Sequence, residues 1–205
     1  MTKILIIGSG GREHAIGWKF AEDFKQKGQE AELFFIPGNA GTAQIGTNVS
    51  VSSIEEMKNF AKENQIDLTF VGPEAELSEG IVDIFQKENL NVFGPHKAAA
   101  QLEASKAFAK DFMDKYGVKT AKYKNFQGPM LAIDYLKTQE YPIVVKASGL
   151  AAGKGVIICQ DFEEAKQAVL DIMEDKTFGD AGNEVVIEEY LEGFSANVKE
   201  IIQCF

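Results

Sequence analysis

Short apolar runs punctuate the first half of the chain, and each ends in a glycine turn. Ile4–Ile7 leads into Gly8-Ser9-Gly10-Gly11, Leu33–Ile36 into Pro37-Gly38-Asn39-Ala40-Gly41, and Leu68–Val71 into Gly72-Pro73-Glu74. Uninterrupted runs of this length predict buried strands, and the glycine-rich segments predict turns. Between them the period lengthens: Ile16, Phe20 and Phe24 recur at helical spacing. Ser53-Ile54-Glu55-Glu56 has the capping-box pattern of a helix that runs to about Glu63. Val49–Val51 predicts a further strand, Ser78 is expected to cap a helix carrying Ile81, Val82, Ile84 and Phe85, and Asn91–Phe93 predicts a last strand before Gly94-Pro95. Strands alternating with helices imply a doubly wound parallel α/β sheet, whose carboxyl edge, with its three glycine loops, is the expected ligand crevice.

A different order begins near residue 100. Ser105 is placed to cap a helix on which Phe108, Phe112 and Met113 share a face and which ends near Gly117. From Thr120 the pattern predicts a strand, a helix over about Pro129 to Lys137, a strand at Ile143–Val145 and another at Val156–Cys159. A helix with Phe162, Ala165, Val169 and Ile172 inward follows, then a strand at Val185–Ile187.

Composition narrows the class. The 205 residues are 45% hydrophobic and 25% charged, with a formal net charge of -10. That balance argues against a nucleic-acid surface or an anionic membrane as partner. Two cysteines, Cys159 and Cys204, fit a reducing, cytoplasmic setting rather than a disulfide framework. No run approaches the length of a membrane span, and Met1-Thr2-Lys3 passes directly into the first strand without a signal-peptide pattern.

The candidate chemistry centres on Lys146 to Val156, K-A-S-G-L-A-A-G-K-G-V, which follows the Ile143 strand. Gly149, Gly153 and Gly155 permit close backbone approach to an anion, and Lys146 and Lys154 supply charge. The spacing is not that of a P-loop: three residues separate Gly149 from Gly153, and Gly155 rather than Ser or Thr follows Lys154. A plain hairpin joining two strands fits the same residues. At the first turn Glu13 stands where the dinucleotide fingerprint needs its third glycine, which argues against NAD; the helix start and Arg12 still favour an anion. Asn39 fits either a ligand contact or a plain connection. His14 is given no chemistry, and Trp18 is read as packing. Glu188 and Glu189 end a buried strand, where a carboxylate needs a partner or water, and such a hinge can offer backbone groups to an adenine edge.

Taken in order, G-S-G-G-R-E-H-A (Gly8–Ala15), P-G-N-A-G (Pro37–Gly41), V-G-P-E (Val71–Glu74), F-G-P (Phe93–Pro95), A-A-A-Q-L-E-A-S-K-A-F-A-K (Ala98–Lys110), the Lys146 loop, F-G-D-A-G and V-I-E-E-Y-L-E-G (Val186–Gly193) resemble the phosphoribosylamine–glycine ligases of the ATP-grasp superfamily. The resemblance implies a Rossmann-like pre-ATP-grasp domain over residues 1–100, the covering part of an α+β ATP-grasp domain over 101–194, and a divergent tail over 195–205. It implies that ATP, with Mg²⁺ or Mn²⁺, phosphorylates glycine, and that 5-phosphoribosylamine attacks the glycyl phosphate to give glycinamide ribonucleotide, ADP and phosphate in purine synthesis. Lys106 and Lys146 would then bind ATP phosphates, the loop of Gly149, Gly153, Lys154 and Gly155 would close over them, and Glu188, Glu189 and Leu191 would form the adenine hinge. Gly10, Gly11, Arg12, Asn39 and Glu74 would face phosphoribosylamine. The family's metal ligands and glycine site are expected outside this chain, and its full-length members are expected to be monomers. Glu76 and Lys119 stand where the family usually has proline, Ser148 where aspartate is frequent, and Ser195 where a ribose-binding glutamate is expected. On this basis the chain reads as a fragment with little activity alone, or as a non-catalytic nucleotide- or phosphoribosyl-binding piece.

Overall fold

The computed structural model describes residues 1–151 and 153–192, so the expectation for Ser195 falls outside the described residues. The chain divides into two compact units, with the division after Ala104.

In the first unit, β1 (Thr2–Gly8), β2 (Ala31–Pro37), β3 (Thr47–Asn48), β4 (Leu68–Val71) and β5 (Val92–Phe93) form a sheet of order β3-β2-β1-β4-β5. Every pairing is parallel. The helices are α1 (Gly11–Gln26), α2 (Ile54–Glu63), α3 (Glu74–Glu79), α4 (Ile81–Lys87) and α5 (Lys97–Ala104). Strand alternation explains why the apolar runs are continuous. Leu5, Ile7, Phe34 and Ile36 pack on one face with Met57, Val82 and Phe85, whereas Ile4, Ile6, Leu33 and Phe35 pack on the other with Phe20 and Phe24. Burying a side chain such as Phe35 stabilises the unit by about 1.5–3 kcal/mol.

The second unit begins with α6 (Lys106–Lys115) and continues through β6 (Tyr123–Phe126), α7 (Pro129–Leu136), β7 (Ile143–Ala147), β8 (Val156–Cys159), α8 (Phe162–Met173) and β9 (Val185–Glu189). Its sheet is antiparallel, of order β6-β9-β7-β8. One face carries Val145, Ala147, Val185 and Ile187 into a core with Leu136, Ala165, Val169 and Ile172. The alternate positions, Lys146 and Glu188 among them, are thereby turned to the other face.

Ser53 and Ser105 cap α2 and α6 as expected, accepting the backbone N–H of Glu56 and Phe108. Four expectations change. The strand expected at Val49–Val51 lies two residues earlier, because Thr47 and Asn48 take the register opposite Phe34 and Phe35. Ser78 does not cap the second of its helices: it lies inside α3 and donates to the Ala75 carbonyl at 2.7 Å. Gly80, at φ +96°, makes the break before α4, in the left-handed region that glycine tolerates. On α6 the buried positions are Ala107 and Lys110, while Phe108 and Phe112 are 39% and 37% exposed. The face they were expected to bury is displaced because α6 meets a charged strand position rather than an apolar one. Trp18 is 53% exposed rather than packed, since the buried side of α1 falls at Glu13 and Gly17.

Candidate functional site

Lys146, at the penultimate position of β7, points its ammonium at Glu188 on the neighbouring strand β9, 2.9 Å from Oε1. Lys110, from the buried side of α6, sits 2.8 Å from the other oxygen, Oε2. Glu188 is 4% exposed and Lys110 7%, so charge is stabilised here by counter-charge and not by water. The Lys146 contact has ion-pair distance without hydrogen-bond alignment, which leaves Oε1 with no directed donor. Lys110 completes its shell with the Thr120 hydroxyl at 2.7 Å and the Ala121 carbonyl at 3.5 Å.

The glycine loop joins β7 to β8 as a hairpin, with Lys146 opposite Val156. Its base is fixed. Ser148 is 4% exposed, its Oγ accepts the Ala107 N–H at 3.1 Å, and its carbonyl accepts the Lys106 N–H at 2.7 Å. Ser148 thus holds the first turn of α6. A Cβ on Gly149 would lie 2.6 Å from the Ala181 backbone, and Gly149 donates to the Ala181 carbonyl at 3.1 Å. Lys106 Nζ donates to the Gly149 carbonyl at 3.0 Å, placing it at the same loop as Lys146. Beyond the base, Gly153 (φ +76°) and Lys154 are exposed, whereas Gly155 packs on Ala147 and Ala151. Loop and hairpin are therefore one object: a tied base and a solvent-facing tip.

The hinge residues separate. Glu188 is consumed by the two lysines, Glu189 exchanges hydrogen bonds with the Lys122 backbone through its carboxylate at 2.9 Å and its N–H at 3.0 Å, and Leu191 is 64% exposed. A cavity of ≈ 540 Å³ beside the hinge is lined by Lys122, Tyr135, Tyr141, Ile187 and Tyr190 among others, and includes neither Lys106 nor Lys146.

The carboxyl edge of the parallel sheet does bring its three glycine loops together. Gly38 donates to the Gly8 carbonyl at 3.2 Å, Gly72 to the Ile7 carbonyl at 3.1 Å, and the Asn39 amide to the Ser9 carbonyl at 2.8 Å. The crevice between them is occupied by a side chain the sequence reading noted only as a missing glycine. Glu13 is 4% exposed and accepts the Gly10 N–H at 2.7 Å; a Cβ on Gly72 or Gly8 would come within 2.3 or 2.4 Å of it. Asn39 spends its Oδ1 on the N–H groups of Gly41 and Thr42. Arg12 and Glu74 pair at 3.1 Å on the surface. That hydrogen bond raises the Arg12 pKa, while the Glu74 carboxyl is lowered first by its own backbone N–H and then by Arg12. Gly11 has open space around it. A nearby cavity of ≈ 440 Å³ is lined by Pro37, Ser50, Ser52, Met57 and Glu76 and by none of the five expected substrate residues.

Lys110 and Ser148 are the residues of this cluster that the sequence pattern did not single out. Ala107 and Lys110, three apart on one helix face, were the available signal, since a small residue beside a lysine marks a face pressed against something polar. Among the described residues, no group of three or more His, Cys, Asp or Glu is placed to hold a metal ion.

An α6 lysine over a tied glycine hairpin, an acidic strand end on an antiparallel sheet, and a preceding parallel-sheet domain define a protein of the ATP-grasp fold class. Family models described as "Phosphoribosylglycinamide synthetase, N domain" and "Phosphoribosylglycinamide synthetase, ATP-grasp (A) domain" match residues 2–103 and 104–204. The phosphoribosylamine–glycine ligase of Clostridium acetobutylicum is 51% identical over 201 residues, covering 97% of this chain and 47% of that protein. A crystal structure of phosphoribosylamine–glycine ligase from Thermotoga maritima superposes with a TM-score of 0.76 at 37% identity, covering 94% of this chain and 45% of that one. The biotin carboxylase domain of Hydrogenobacter thermophilus 2-oxoglutarate carboxylase shares the fold alone, with a TM-score of 0.73 at 20% identity. The chain belongs to the phosphoribosylglycinamide synthetase family. It spans about half the length of the curated relatives it matches.

Proposed function

We propose that the chain supplies the phosphoribosylamine-facing domain and the ATP-covering part of a ligase that joins glycine to 5-phosphoribosylamine through glycyl phosphate. The observation that carries this is the convergence of Lys106 and Lys146 at the base of the glycine hairpin, beside the Glu188 hinge. Phosphoryl transfer depends mainly on positioning and charge neutralisation. Lysine ammoniums at a rigid loop base meet that need: Lys106 and Lys146 would hold the polyphosphate, and Gly153 and Lys154 at the exposed tip would cover it. The half-exposed Lys146 side chain, at 24%, remains reachable by an anion. Backbone groups of Glu188, Glu189 and Leu191 would meet the adenine edge. When bound, Mg²⁺ neutralises phosphate charge; Mn²⁺ serves the same chemistry.

In the first unit, Gly10, Gly11, Arg12, Asn39 and Glu74 would face phosphoribosylamine from the carboxyl edge of the sheet. A cytoplasmic setting and a monomeric full-length protein complete the reading, and among the described residues no helix is long and apolar enough to cross a membrane. The test joins calorimetry to turnover. The chain is expected to bind Mg-ATP, and in a protein carrying it at the full length of its relatives ADP release should require both glycine and 5-phosphoribosylamine. ADP release indifferent to glycine would sink the assignment.

A further inference from the structure

Lys110 belongs to none of the roles above, yet it is the more buried of the two lysines on Glu188, with a side chain 9% exposed against 24% for Lys146. Burying an ammonium is costly, and a single lysine would already satisfy one carboxylate. Among the described residues no other carboxylate pairs with either lysine. One negative charge therefore lies between two positive ones, and the cluster holds a single positive charge in excess. If Lys110 were absent, Glu188 would cancel Lys146 and the cluster would offer an anion nothing. With Lys110 fixed by Thr120 and Ala121, Glu188 is neutralised from behind and the Lys146 charge is released toward the exposed side.

We infer that Lys110 is a positioning residue for polyphosphate: it neutralises Glu188 so that Lys146, held in place by the same carboxylate, presents uncompensated charge to the ligand. This rests on the ATP reading of the site for the identity of the ligand, though not for the electrostatics. Lys110 touches no ligand in this scheme; it acts through Glu188.

The test uses the 205-residue chain, calorimetry, and three probes: inorganic tripolyphosphate, ATP and adenosine. Lys110→Met is expected to weaken tripolyphosphate and ATP by about tenfold or more, the order of one lost charge-assisted contact, and adenosine by less than about threefold. Glu188→Gln, which raises the excess charge, is expected to tighten tripolyphosphate. The double variant Lys110→Met/Glu188→Gln restores a single excess charge and should bring tripolyphosphate back to within about threefold of the parent chain. A purely structural lysine predicts the opposite pattern: all three probes weakened together and no recovery in the double variant. Unchanged ATP affinity in Lys110→Met, or weaker tripolyphosphate binding in Glu188→Gln, overturns the inference. Should Lys110→Met fail to fold, the Glu188→Gln arm decides alone. Tripolyphosphate binding without ATP preference in the parent chain would reject the nucleotide reading and leave the Lys110 inference standing, whereas a parent chain that binds neither rejects both.

Discussion

Glu13 and Glu188 are equally buried, at 4% exposure, the first in the opening turn of α1 after a glycine turn and the second inside the strand β9. Their partners differ. Glu13 is held by the Gly10 backbone N–H at the start of α1 and packs into the space that the hydrogens of Gly8 and Gly72 leave open. Glu188 is held by two side-chain ammoniums, one of them reachable from outside. A backbone partner is part of the fold and cannot be exchanged for a ligand. A lysine partner can turn to a competing anion, and an excess of lysine makes that competition favourable. Burial of a carboxylate therefore does not by itself mark a ligand site; the first carboxylate is held by the backbone of the fold, the second by side-chain ammoniums that an anion can compete for.

The contrast is sharpest in what removal should do. Glu188→Ala leaves two lysines facing each other in a buried site, and the expected loss of stability in the second unit is about 3–5 kcal/mol. Urea-dependent alkylation of the buried Cys159 reports on that unit. Glu13→Ala removes a single acceptor at a helix start, and its cost should be nearer about 1–2 kcal/mol, read from the urea transition of Trp18, the one tryptophan. Equal losses would erase the distinction between counter-ion and backbone stabilisation. Gly72→Ala offers an independent check of the closed crevice: its Cβ would fall 2.3 Å from Glu13 Oε1, so displacement of that side chain should cost about 1–3 kcal/mol. A neutral outcome would show that Glu13 is not fixed there.

A smaller effect separates local from tertiary partners. Ser53→Ala and Ser105→Ala each remove a cap, for about 1 kcal/mol. Ser105 also lies 3.3 Å from Ser148 Oγ, whose acceptance of the Ala107 N–H can continue without it. The Ser105 loss should therefore be the smaller, measured by hydrogen exchange in the first turn of each helix.

How much of this was readable in advance follows the range of the interactions. Apolar runs, the Ser53 and Ser105 caps, and the strand–glycine–helix order are local, and they place the nine strands of the described residues within a few residues. The loops at the carboxyl edge of the parallel sheet also meet as topology requires. What failed was long-range or competitive. The pairing of Lys110 with Glu188 spans most of the second unit and leaves no periodic trace, so Phe108 and Phe112 looked like the inward face. Asn39 fitted either a ligand contact or a plain connection, and nothing in a sequence shows that its oxygen closes its own turn. Gly80 outcompeted Ser78 as the boundary between α3 and α4 because a left-handed φ ends a helix more decisively than a cap residue starts one.

Cys159 extends the comparison to a third way of burying an ionisable group, which is to keep it neutral. It is fully buried in the second core, and desolvation, with smaller contributions from Glu164 and Asp161, pushes its thiol up to about 11. An unfolded thiol ionises near about 8.5. Between those values the folded chain keeps a proton that the unfolded chain has released, so the contribution to stability is constant below the unfolded value and falls as pH rises toward the folded one. Native alkylation of Cys159 at pH 8 should accordingly be far slower than that of an unfolded peptide containing it, because both burial and the suppressed thiolate oppose attack. Peptide mass mapping distinguishes it from Cys204. The alkaline loss of stability between about pH 8.5 and about 10 should follow Cys159 and disappear in Cys159→Ala, whereas at higher pH Tyr123, pushed up to about 12 chiefly by burial, and Tyr141, also raised by burial, add losses of the same sign. An alkaline loss over the lower part of that range that survives Cys159→Ala would show that the neutral buried thiol is not its source.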